Sequence, residues 1–229
     1  MAKNRVTRKQ LLKEPDEFFT TTGRLIEWAR ENAKSLIWGG AIFLALVILS
    51  SAYGYFQARW ANAAEVMLGQ ALAKYQAEIQ TKDAQTALAV VRSDFDTLLN
   101  SYGSQPAGRL GEVIYGNVCL AGQAYDDAIA HYTDALTTFG ADPSLNNIIL
   151  NGLGTAFLEK GDYPQALEQF KKIADSSGSV FKDAALFNLG RLYTQLGKTE
   201  EGRKAYERLS ADFPQSMYAD LAREQTAGS

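Results

Sequence analysis

The sequence predicts an all-α protein: a single N-terminal transmembrane helix followed by an α-solenoid of three clear repeats, one degenerate repeat and a C-terminal cap helix. Three observations predict it. Residues 35–56, SLIWGGAIFLALVILSSAYGYF, carry no charge. Beyond them no strand-like alternation occurs, and helical stretches are broken at Gly, Pro and Asn/Ser clusters. Across those helical stretches a single pattern of glycine, small and aromatic residues recurs, its marker glycines 38 and 36 residues apart.

The first 34 residues form a basic tail, with eight Lys/Arg against five Asp/Glu, whereas the other 195 hold 15 basic and 21 acidic residues. Residues 1–15 are polar and are expected to be poorly ordered. From Asp16 the pattern changes. Pro15 is a good start residue, Asp16 and Glu17 suit a first helical turn, and Phe18, Leu25, Ile26 and Trp28 supply apolar contacts. A short amphipathic helix over 16–34, at or near a membrane surface, is the expectation. It serves either as a solvated flank to the span or as a docking element for a membrane partner.

The apolar stretch sets the span at 35–57. Twenty-two residues at about 1.5 Å each cover roughly 33 Å, close to the ~30 Å of a hydrocarbon core. Ten of them are Leu, Ile, Val or Phe, each favouring insertion by about 0.3–0.6 kcal/mol. Trp38 at one end and Tyr53 and Tyr55 at the other suit the two membrane interfaces. The stretch is apolar all round rather than striped, unlike a soluble amphipathic helix. A second reading is a cleaved signal, with residues 36–49 as its apolar region and Ser50-Ser51-Ala52 as the cleavage site. A third is a buried core helix.

Orientation follows from the basic residues. Eight Lys/Arg precede the span, and only Arg59, Lys74 and Lys82 lie in the 34 residues after Phe56. The positive-inside rule places residues 1–34 in the cytoplasm and 58–229 outside, in the bacterial periplasm or its equivalent.

The body, 58–229, is a repeat array. In 188–214, Leu189-Gly190-x-x-Tyr193 is followed by Gly202, Tyr206 and Pro214. In 152–170, Leu153-Gly154-x-x-Phe157 is followed by Gly161, Tyr163, Ala166 and Phe170. In 115–132, Tyr115-Gly116-x-x-Cys119 is followed by Tyr125, Ala128 and Tyr132. These offsets resemble the tetratricopeptide repeat, a helix–turn–helix of about 34 residues. The extra residues fall between repeats, in GADPSLN and DSSGS. Small residues let helices approach, and aromatics fill the space between them.

A fainter copy comes first. Phe95, Leu98 and Tyr102-Gly103 read as the end of a second helix, while Leu68-Gly69, the marker of the first, lies ten residues too early. A lengthened first helix over roughly 57–80, running out of the span, is expected. After Pro214, SMYADLAREQT reads as a cap helix covering the last apolar face.

No catalytic constellation is legible, and an enzyme, a cofactor and a metal site are not expected. His131 and Cys119 are the only residues of their types, too few for a multi-histidine metal site. Cys119 sits at a packing position and His131 reads as a surface residue. Gly152-x-Gly154 is repeat punctuation rather than a phosphate loop. Asp126-Asp127 and Glu200-Glu201 read as solvating acids. The acidic body gives no reason to expect nucleic acid.

Function therefore falls to the concave face of the array, lined by the first helix of each repeat. Register nominates Val113, Asn117 and Leu120 in the first clear repeat, Asn151, Thr155 and Leu158 in the second, and Phe187, Arg191 and Thr194 in the third. Arg191 is the only charged residue among them, so the lysine and asparagine pairs of a two-carboxylate clamp are missing. The groove suits extended or partly folded polypeptide.

The whole arrangement of basic tail, single span, long helix ending FQARWANAAE and repeats resembles the YfgM-like ancillary subunits of the bacterial Sec translocon. That resemblance implies a non-enzymatic scaffold at the inner membrane, in contact with the translocon and with periplasmic folding factors and chaperones. The alternatives are a general scaffold for cell-wall or outer-membrane assembly and a signal-cleaved soluble periplasmic binding module.

Overall fold

The computed structural model describes residues 17–176 and 180–227. Ten α-helices and no strand occur among the described residues. The chain divides into two compact units, Met1–Ala58 and Arg59–Ser229.

In the first unit, α1 (Glu17–Glu31) is followed after one residue by α2 (Ala33–Ile79). Helical hydrogen bonding carries on across the gap. The Asn32 amide donates to Trp28 O at 3.0 Å, and Asn32 O accepts from Leu36 N at 3.0 Å. Asn32 Nδ2 also donates to Trp28 O. The short helix expected over 16–34 is seen as α1, and it leads into α2 with no break in the ladder at Asn32. Leu25, Ile26 and Trp28 are more than half exposed. Every residue from Ala33 to Ser51 is exposed as well. By length and composition α2 is apolar enough to cross a membrane. The expectations for residues 1–15 and for the Phe18 side chain lie outside what is described.

In the second unit, residues of α2 beyond Arg59 are followed by α3 (Ala84–Tyr102), α4 (Pro106–Ala121), α5 (Tyr125–Phe139), α6 (Pro143–Lys160), α7 (Tyr163–Asp175), α8 (Lys182–Gln195), α9 (Thr199–Asp212) and α10 (Ala219–Ala227). Each helix from α3 onward packs on the next, and α4 also packs on α6, its counterpart in the following repeat. One buried cluster runs from Ala64 on α2 to Ala156 on α6. A second runs from Leu150 on α6 to Ala222 on α10. Leu136 and Phe157 flank both.

The repeat signature has a direct structural cause. A Cβ at Gly116 would meet the Tyr132 ring at 2.9 Å, at Gly154 the Phe170 ring at 3.0 Å, and at Gly190 the Tyr206 ring at 2.4 Å. In each repeat the first helix gives up a side chain so that an aromatic of the second can lie against its backbone. Gly154→Leu or Ala166→Phe should therefore overpack this interface and cost about 1–3 kcal/mol. Thermal melting of the full chain checks it. Unchanged melting for both variants would show that the repeat register is wrong.

The turn between the two helices recurs with the same spacing. Gln123, Gly161 and Gly197 all have positive φ, 62°, 87° and 73°. Gly161 supplies a left-handed cap for α6, its N–H donating to Leu158 O and Phe157 O. Gln123 holds that conformation with a side chain, its Oε1 accepting from Gln85 Nε2 at 3.0 Å.

The degenerate repeat departs from the expected register at one point. Leu68 is buried, as a packing residue should be, but a Cβ at Gly69 would meet nothing within 4 Å. The close approaches on α2 are made at Ala64 and Ala71, both fully buried. Phe95 is fully buried too, yet it stacks on Tyr115 of the next repeat at 4.7 Å. The long first helix slides its small residues relative to the later copies, so the Leu-Gly pair alone misplaces the contact. The cap is seen as α10, which turns Ala219 and Ala222 into the core.

Candidate partner-binding face

The first helices of the clear repeats are α4, α6 and α8, and residues at steps of three and four share one face of each. On α4, Val113 is buried in the core cluster. It is a packing residue and not a member of an open face, a correction to the register reading. Asn117 is exposed and accepts a 2.6 Å hydrogen bond at Oδ1 from the buried Tyr132 hydroxyl. Leu120 is partly buried against the core. On α6, Asn151, Thr155 and Leu158 are partly buried, and Thr155 Oγ1 donates to Asn151 O at 2.8 Å. That bond commits the hydroxyl to its own helix.

On α8 the predicted residues come together. Phe187, Arg191 and Thr194 line a cavity of about 430 Å³ with Gln195, Tyr206, Leu221 and Gln225. The other six predicted residues do not line it. Phe187 stacks on Tyr218 behind it at 5.0 Å and lies tilted against Tyr206 at 5.9 Å between ring centres. Burial pushes the Tyr206 hydroxyl above its ordinary pKa, and the positive charge of Arg191 partly offsets that. Leu221 and Gln225 are missed by the sequence reading, which gives α10 a covering role alone. The step of four from Leu221 to Gln225, with Leu221 the one large apolar residue of α10, is the signal that marks this face.

The remaining candidates are structural. His131 is partly buried, not a free surface residue: its ring lies 4.3 Å from that of Tyr115, and its Nδ1 is 2.7 Å from Glu112 Oε1. Cys119 is fully buried. Burial, chiefly, with Asp127 and Asp96 adding to it and Arg92 opposing, pushes its thiol up to about 12. Such a thiol is inert at neutral pH. Among the described residues no group of three or more His, Cys, Asp or Glu is placed to hold a metal ion. What α8 offers at this cavity is an exposed Arg191 beside a partly buried Phe187.

The model of the tetratricopeptide repeat-like domain matches residues 27–226. The chain belongs to this family. The match takes in the apolar helix as well as the repeats. The tetratricopeptide fold also appears in the crystal structure of a tetratricopeptide repeat protein from Parabacteroides merdae, to which the chain is similar with a TM-score of 0.56 and 16% identity over 70% of this chain. The chain covers 59% of that protein's length, and at this identity the likeness is one of fold. No curated protein matches. Tetratricopeptide repeat domains bind proteins and peptides, and this type of fold is ordinarily a scaffold rather than an enzyme.

Proposed function

We propose that this tetratricopeptide repeat-like protein is a membrane-anchored interaction scaffold at the bacterial inner membrane. In this reading residues 1–34 lie in the cytoplasm, 35–57 form the anchor, and 58–229 form a periplasmic binding domain. The observation that carries the anchor is α2. It is uncharged over 35–56 and exposed from Ala33 to Ser51, and the same helix goes on to supply Ala64, Leu68 and Ala71 to the repeat core. An apolar surface of this extent left in water is a strong liability, and lipid removes it. The second supporting feature is the basic tail.

A fusion after Ser229 to a reporter active only outside the cytoplasm tests the orientation. Activity is expected. An inactive fusion, with a matching cytoplasmic reporter active, would overturn it. Mature protein beginning after Ala52 would establish a cleaved signal instead.

The translocon is the neighbour the architecture favours, with the repeat domain linking the channel to periplasmic folding factors. Tethering makes a mild groove sufficient, because confinement raises the effective concentration of neighbours. Crosslinking in intact membranes should recover translocon components. If they are never recovered while other envelope proteins are, the protein is a general envelope-assembly scaffold.

A further inference from the structure

Among the described residues, the cavity at the end of the array holds one charge and no counter-charge. Of the seven described residues that line it Arg191 alone is charged, and none is acidic. The other arginines from Arg92 to Arg223 all have acceptors: Arg92 on Asp127, Arg109 on Ser104 O, Arg203 on Glu200 and Glu207, Arg208 on Ala174 O, and Arg223 on Asp220. Arg191 has no ion pair or hydrogen-bond acceptor among the described residues. In a chain with net charge −3, where carboxylates are plentiful, an arginine left open beside an aromatic floor is a poised recognition group. Its planar fork fits a carboxylate with two parallel hydrogen bonds.

The floor beneath it is apolar: Phe187, Tyr206 and Leu221. Phe187 and Arg191 are one helical turn apart on α8, so charge and floor are adjacent. Thr194 and Gln195 follow on the next turn as polar rim. In an extended peptide, residues two apart point the same way. One segment then presents an acid to Arg191 and an apolar side chain to the floor together.

We propose that this cavity binds an internal, extended segment of a partner protein in which an acidic side chain stands two residues from a large apolar one. The segment is internal because the lysine and asparagine pairs with which a clamp holds a terminal carboxylate are missing from this face, and the α8 residues here lie within a helix whose amides are already bonded, so they form no nest of free backbone N–H groups. This rests on the scaffold reading above and gives that reading its ligand chemistry.

The test uses the purified full chain in detergent micelles. The probe is a fluorescein-labelled, end-capped peptide with one glutamate two residues before a leucine, in a glycine–serine background. Binding is read by anisotropy. The glutamate probe should bind about fivefold tighter than its glutamine counterpart, a contrast suited to a partly exposed charge pair. R191Q should abolish that contrast, and R191E should invert it in favour of a lysine probe. Leu221→Ala should weaken glutamate and glutamine probes alike. Equal binding of the two probes by the unaltered protein, binding only of an uncapped peptide through its terminus, or no binding at all overturns the proposal. Because the assay needs no membrane orientation and no translocon, these failures leave the scaffold reading standing, to be judged by crosslinking in cells.

Discussion

Gly108→Ala should lower the melting temperature of the repeat domain by about 10 °C, corresponding to roughly 3 kcal/mol for a domain of this size. Gly108 lies in the first turn of α4, directly after the sharp connection from α3. A Cβ there would stand 2.0 Å from Tyr102 O, 2.6 Å from its carbonyl carbon and 2.9 Å from Gly103 Cα. All three are backbone atoms, so no side-chain rotation relieves the clash. The Tyr102 carbonyl is also fixed, accepting from Gln105 N at 2.8 Å. The α3–α4 connection must open, and with it the contact between the first two repeats. Gly69→Ala is the matched control. It adds the same methyl to open space on a helix and should be neutral or raise stability by about 0.5–1 kcal/mol. Equal melting of the two variants would contradict the packing described here.

Tyr132→Ala is expected to cost about 3–5 kcal/mol. The Tyr132 side chain is fully buried. Its ring fills the space that side chains at Gly116 and at Gly152 would otherwise occupy, with a Cβ at Gly152 only 2.4 Å from it. One ring therefore joins the first helix of its own repeat to the first helix of the next. Deleting it opens a cavity at the joint between repeats, where a linear array depends on its nearest neighbours. The unfolding transition should broaden as well as shift. Tyr132→Phe keeps the ring and loses only the bond to Asn117, an exposed residue that water can satisfy, so about 1 kcal/mol or less is expected. A cost below that for the alanine variant would mean the ring is not the joint.

The fold is legible where sequence pattern and packing coincide. Gly116, Gly154 and Gly190 mark true close approaches, and their partners Tyr132, Phe170 and Tyr206 are the aromatics the offsets name. Composition alone makes the apolar helix plain. Legibility ends where geometry depends on neighbours. Gly69 looks like a marker but faces open space, because α2 is long enough to slide its contacts to Ala64 and Ala71. Val113 occupies a groove offset but is buried in the core. His131 reads as a surface residue, yet Tyr115 and Glu112 of the preceding helix, α4, hold its ring. At the site, the α8 residues are recognisable as neighbours, since a helical face is periodic. The remaining wall of the cavity comes from α9 and α10, and a pattern internal to α8 carries no trace of it.

The central claim is that the repeat domain of a membrane-anchored scaffold holds partner proteins on the face formed by α4, α6 and α8. Photocrosslinking from single positions in intact cells tests it most directly. A photoreactive side chain at Asn117, Asn151, Arg191 or Thr194 should trap defined envelope proteins. The same group at Glu168 or Lys204, on second helices of the repeats, should trap little. Substituting Asn151, Thr155, Phe187 and Arg191 together should remove the trapped species while the protein stays in the membrane fraction. If the substituted protein remains folded and anchored and keeps every crosslink, or if the second-helix positions trap the same partners as strongly, the face is not the binding surface and the account fails.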